Sequence, residues 1–171
     1  MNVQELYKVQ QGLKDHIGYK GKDKFSKMML AMQVEFMECA NDWRGFKYWS
    51  EDQQPKKSLL EEYVDGLHFV LETGLDLVEL GYIHALPKMV EPYKRSGATI
   101  ERLFQQLLYL TLNIQRYMND FQMNGVVHRE YMLLFSEFLN LGRLLGFNEE
   151  SIHKAYMEKN AENHNRQERG Y

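Results

Sequence analysis

Apolar residues recur at helical spacing along nearly the whole chain, and its three prolines, Pro55, Pro87 and Pro92, all fall between the periodic stretches. Proline removes a backbone donor and clashes with the preceding turn, so uninterrupted segments are free to be helices. The first runs over about 3–17, with Val3, Leu6, Val9, Leu13 and Ile17 on one stripe. Further helices are expected over about 24–41, 58–81, 98–122 and 129–145. Gly146 reads as the terminating glycine of the fifth, and Asn148 as the N-cap of a sixth from about 149. The fourth stretch, IERLFQQLLYLTLNIQRYM, is apolar almost all round, which predicts a central position. Alternating strand patterns are scarce. The expected fold class is all-α, a helical bundle of about six helices forming one domain over 1–171.

The bulk numbers narrow the function classes. A chain of 171 residues is long enough for one proper core. Its formal net charge of −3 leaves no global basic footprint for nucleic acid. A lone cysteine, Cys39, excludes an internal disulfide framework, suits a reducing compartment and reads as core. No secretory signal and no membrane span is expected. The resulting expectation is a cytoplasmic protein.

Two helices carry carboxylates where apolar residues dominate. The second has Glu35 and Glu38 among Met28, Met29, Met32, Val34, Phe36 and Met37. The third, LLEEYVDGLHFVLETGL over 59–75, has Glu62 and Asp65, with His68 one turn on. Residues three apart share a helix face. If these helices run antiparallel, the two pairs meet. Two unit charges ~5 Å apart at an effective dielectric of about 20 repel by roughly 3 kcal/mol. Such a group takes up protons or binds cations, and oxygen-only ligands favour Mg²⁺ or Mn²⁺ over Zn²⁺. A solvated acidic face is the competing explanation. Glu61 is a rival to Glu62, but Glu62–Asp65 repeats the spacing of Glu35–Glu38.

Other groups are open to two explanations. The closing stretch KNAENHNRQERGY is either a solvated terminus, ordered with a partner, or a clamp for a polyphosphate. Phe46, Lys47, Tyr48 and Trp49 either stack on a base or plug the core. His68 is either a core histidine or a substrate contact.

Beyond the paired carboxylates, ECANDWRGFKYWS, LLEEYVDGLHFVLETGL and KNAENHNRQERGY together resemble the dimeric dUTPases of Gram-positive bacteria and their phages. These belong to the all-α NTP pyrophosphatase (MazG-like) superfamily. The resemblance implies Mg²⁺-dependent hydrolysis of dUTP, and of dUDP, to dUMP, with pyrophosphate released from dUTP. It implies that Glu35, Glu38, Glu62 and Asp65 hold two or three Mg²⁺ ions, Mn²⁺ being an alternative, and that Glu35 activates water. Lys159, Arg166 and Tyr171 would bind phosphates, and Asn163 and His68 the deoxyribose. Gln11 would read uracil, with Lys47 and Trp49 nearby. The segment 157–171 would close over substrate. The sequence departs from the pattern at Lys14, where many relatives carry Asn or Asp. The resemblance also implies a homodimer, and a regulator-protein partner if the gene is phage-borne. The readings set against it are a dCTP or broader nucleotide pyrophosphatase, and a helical protein acting by binding a regulator.

Overall fold

A computed structural model describes residues 1–94, 96–118 and 123–170. Six helices are present among them: α1 (Gln4–Ile17), α2 (Lys24–Trp43), α3 (Leu59–Glu79), α4 (Ile100–Met118), α5 (Asn124–Leu144) and α6 (Glu149–Glu168). No strand occurs among the described residues, only an isolated bridge between Asn2 and Met89. The last residues of the expected fourth helix, 119–122, lie outside the described residues.

The central helix is α3, not α4. Among the described residues it packs against α1, α2, α5 and α6, whereas α4 touches only α2 and α5. Tyr109 and Leu112 on α4 stay exposed, the latter at 58%. An apolar surface all round is therefore only partly used in α4. In α3 the heart is aliphatic: Val64, Leu67, Val70, Leu71 and Leu77 are fully buried. Each such side chain contributes roughly 1.5–3 kcal/mol.

Two glycines let neighbours reach the α3 backbone. Gly66 lies under Phe36, where an added Cβ would stand 3.2 Å from the ring. A Cβ on Gly74 would run into the Tyr131 hydroxyl, which pairs with Tyr7 (2.5 Å) and donates to Val70 O (3.2 Å).

The α2–α3 pair is antiparallel. Asp42 meets Ser58, Phe36 meets Gly66, Thr73 meets Met29 and Met32, and Lys24 meets Asp76. The hairpin's base is pinned by buried Asp42, which accepts from Lys56 and from Ser58 Oγ (2.5 Å). Burial acts to raise its carboxyl, but these hydrogen bonds outweigh it and hold the pKa below the ordinary value. Arg44 ends α2 at φ 66°, a left-handed position that glycine usually takes, and its guanidinium donates to Asp52 O (2.6 Å).

The expected helix ends hold where capping chemistry is local. Asn148 and Ser151 form a reciprocal capping box at the start of α6. Gly146 lies just past α5 at φ 91°. The closing stretch departs from a terminus awaiting a partner, because α6 is helical to Glu168. Its apolar stripe stops after Ile152 and Tyr156, and polar side chains continue the inner face: Lys159 pairs with Asp65, and His164 with His16 (2.7 Å).

Gly74→Ala should lower the urea midpoint. Overpacking a buried, hydrogen-bonded tyrosine costs about 1–3 kcal/mol, against roughly 1 kcal/mol of helix propensity gained. Gly12→Ala, in α1 with open space around it, should raise the midpoint by about 1 kcal/mol equivalent.

Candidate active site

The α2–α3 register brings the carboxylates together. One oxygen each from Glu35, Glu62 and Asp65 lie within 4.8 Å of one another, and all three residues are partly buried. Glu38 is exposed and stands outside this trio, yet its charge reaches Glu35 and Glu62. Glu61 is exposed and turns instead to Lys159 (2.9 Å). Lys159 also meets Asp65 Oδ2 at 2.7 Å, so one ammonium from α6 reaches into the carboxylates.

The electrostatics are those of an anionic site with too little counter-charge. Burial, then Asp65, Glu38 and Glu62, push the Glu35 carboxyl up to about 7, and Lys159 offsets part of this. Glu62 is raised by burial, then by Asp42, Glu38 and Asp65. Asp65 is raised by burial despite its bond to Lys159. For Lys159, burial works against the charged form, but Asp65 and Glu61 more than compensate, and its pKa rises.

Beside the trio lies a cleft of about 300 Å³, where α1, α2, α3 and α6 meet. Glu35, Asp65, His68, Asn163 and Arg166 line it. Leu13, Ile17 and Phe69 give it an apolar wall. Arg166 also pairs with Glu162 one turn back (2.5 Å). His68 is stacked on Tyr156, with ring centroids 4.1 Å apart. Burial, with Lys159 adding to it, pushes the imidazole pKa down to about 3, so the ring is neutral.

The sequence matches the dUTPase family over residues 2–171. The chain belongs to the dUTPase family. It is thus a hydrolase, a dUTP diphosphatase acting on a small nucleotide, and all-helical as the resemblance implied. No curated protein sequence matches it. None of its described helices is long and apolar enough to cross a membrane.

The enzyme brings together most of the expected site residues, but not all. Glu35, Glu62, Asp65, His68, Lys159, Asn163 and Arg166 surround one region. Gln11 does not join them: it bonds Asp15 (2.7 Å) on another face of α1. Lys14 is taken up by Asp76 (2.7 Å) and Glu79 (2.5 Å), also away from the cleft. Lys47 donates to Asn41 (2.7 Å), and Trp49, 65% exposed, packs edge-on against Phe46 and Tyr48. That aromatic cluster neither lines the cleft nor plugs the core. Tyr171 lies outside the described residues.

Glu72, Phe69 and Gln167 in the cleft wall are not expected from the sequence. Gln10, the register-shift alternative to Gln11 as the base-reading glutamine, is set aside there because it puts Leu13 three residues on; it too lines the cleft. A signal existed for Gln10. It falls in step with Leu6, Leu13 and Ile17 on the inward stripe, and it is 1% exposed, whereas Gln11 is one residue out of phase.

With a Glu35 pKa of about 7 in the fold against the ordinary 4.5, the folded protein binds the proton more tightly than the unfolded chain. Stability from this group is therefore full below about pH 4.5 and lost as pH rises through about 7. Metal-free Glu35→Gln should melt above the metal-free parent at pH 8. The gap should close toward pH 4.5 in calorimetry.

Proposed function

We propose that this dUTPase hydrolyses dUTP, and also dUDP, to dUMP, using Mg²⁺ held by Glu35, Glu62 and Asp65, with Glu38 completing the set. One observation carries this: three carboxylate oxygens within 4.8 Å beside a cleft that also holds Arg166 and Asn163. The all-oxygen donor set and its raised pKa values fit a hard divalent cation, because such a cation relieves the repulsion that burial intensifies. Bound there, Mg²⁺ would lower the pKa of water and neutralise phosphate charge.

The chain's own groups then divide the work. Glu35 orients the attacking water and accepts its proton. Arg166 and Lys159 hold phosphate oxygens, with Tyr171 a further candidate. Asn163 and His68 face the deoxyribose. Leu13, Ile17 and Phe69 offer an apolar surface to the pyrimidine. The last turns of α6, within 157–171, close over the bound nucleotide and exclude water.

The enzyme works as a cytoplasmic homodimer. Supporting self-association, Leu30, Val34 and Met37 on α2 and Tyr109 and Leu112 on α4 are all exposed. The helices are tied by Gln33 Nε2 donating to Thr111 Oγ1 (2.8 Å).

Pyrophosphate release should be fast with dUTP and slow with dCTP, dTTP and UTP, and EDTA should abolish it. Glu35→Gln should lower kcat by ~10²–10⁴-fold. At pH 8 Mg²⁺ should raise the melting temperature of the parent enzyme more than that of Glu35→Gln. Equal turnover of dCTP would discard the uracil assignment and keep the metal site.

A further inference from the structure

The cleft wall contains a polar relay behind His68. Gln10, on α1, is almost fully buried. Its Nε2 donates to Glu72 Oε2 (3.0 Å), and Glu72 is fixed in turn by Lys24, whose Nζ stands 2.7 Å from Oε1. A carboxylate paired with an ammonium accepts and does not donate. The Gln10 amide is therefore held one way round, with Nε2 toward Glu72 and Oε1 on the other side.

Oε1 receives two partners. The Tyr156 hydroxyl donates to it (2.8 Å), and His68 Nδ1 lies 2.8 Å away. A carbonyl oxygen only accepts, so His68 must carry its hydrogen on Nδ1. The opposite nitrogen, Nε2, is then a bare lone pair. It is buried and has no hydrogen-bond partner among the described residues, while His68 itself lines the cleft with Glu35 and Asp65. Stacking on Tyr156 keeps the ring from turning the lone pair elsewhere. A buried acceptor left unsatisfied is costly, and a ligand donor placed there would recover that cost.

We propose that Gln10, Glu72 and Tyr156 are positioning residues that fix His68 as an Nε2 acceptor for a hydrogen-bond donor on the nucleoside. The donor is a sugar hydroxyl or the N3–H of uracil. This rests on the cleft being the nucleotide site, as proposed above. Both ends of the Gln10 amide are occupied inside the protein.

The relay makes Glu72→Gln informative. Without a carboxylate opposite Nε2, the Gln10 amide is free to turn over and present N–H to His68. The imidazole proton then moves to Nε2, and a donor faces the substrate donor. Lys24 keeps Asp76 as partner (2.8 Å), so the helix contact survives.

The test has two parts. Long-range ¹⁵N NMR on the ligand-free wild-type protein should show His68 protonated at Nδ1 and bare at Nε2. In Glu72→Gln that pattern should reverse. Kinetics should show KM for dUTP raised about tenfold, the worth of one net hydrogen bond, with kcat changed less. The KM ratio between variant and parent should fall to about one on a single analogue, by the same reasoning. With 2′,3′-dideoxyuridine triphosphate the donor is the sugar hydroxyl; with N3-methyl-dUTP it is the base. A wild-type His68 protonated at Nε2 overturns the proposal, and so does a ratio unchanged on both analogues. The cleft reading fails separately, if Glu35→Gln keeps full turnover, and the tautomer measurement is unaffected by that result.

Discussion

Carboxylates held together at the α2–α3 contact set the terms for the rest of this enzyme. Like charges at such range repel, and burial makes the repulsion larger. The bundle tolerates this because α3 is held on its other sides by α1, α5 and α6. Aliphatic side chains such as Leu67, Val70 and Leu71, buried along the same helix, more than offset the local cost. Lys159 supplies partial relief from α6. The remaining negative charge is what makes the site receptive to a cation.

Function and packing share the same short segments. Gly66 brings Phe36 against α3 one residue from Asp65, so the close approach that seals the core also draws Glu35 toward Asp65. Asp42 closes the hairpin and also adds to the field on Glu62. The α6 helix packs through Ile152 and Tyr156, and its next turns carry Lys159, Asn163 and Arg166 into the cleft region. A change at any of these positions therefore acts on stability and chemistry together.

The polar groups around Gln10 follow another logic. Lys24, Glu72, Gln10, His68 and Tyr156 come from α2, α3, α1, α3 and α6, so one hydrogen-bonded chain links four helices. Buried polar networks of this kind are favourable only when their members are satisfied. Here one buried atom is left over, Nε2 of His68, a residue that lines the cleft.

By itself the sequence determined the helices, their capping at Asn148 and Gly146, and the matched spacing of Glu35–Glu38 and Glu62–Asp65, since these depend on residues within a turn or two. The family signature was equally legible, being carried by contiguous text. Three matters were settled only by tertiary packing. Central position went to α3 rather than α4, because position depends on how many neighbours a helix finds and not on its own apolarity. Gln10 rather than Gln11 faces the cleft, because α3 and α6 select which side of α1 is inward. The chain stays helical to Glu168 with a polar face that meets Asp65 and His16, partners far away in sequence and invisible to any local periodicity.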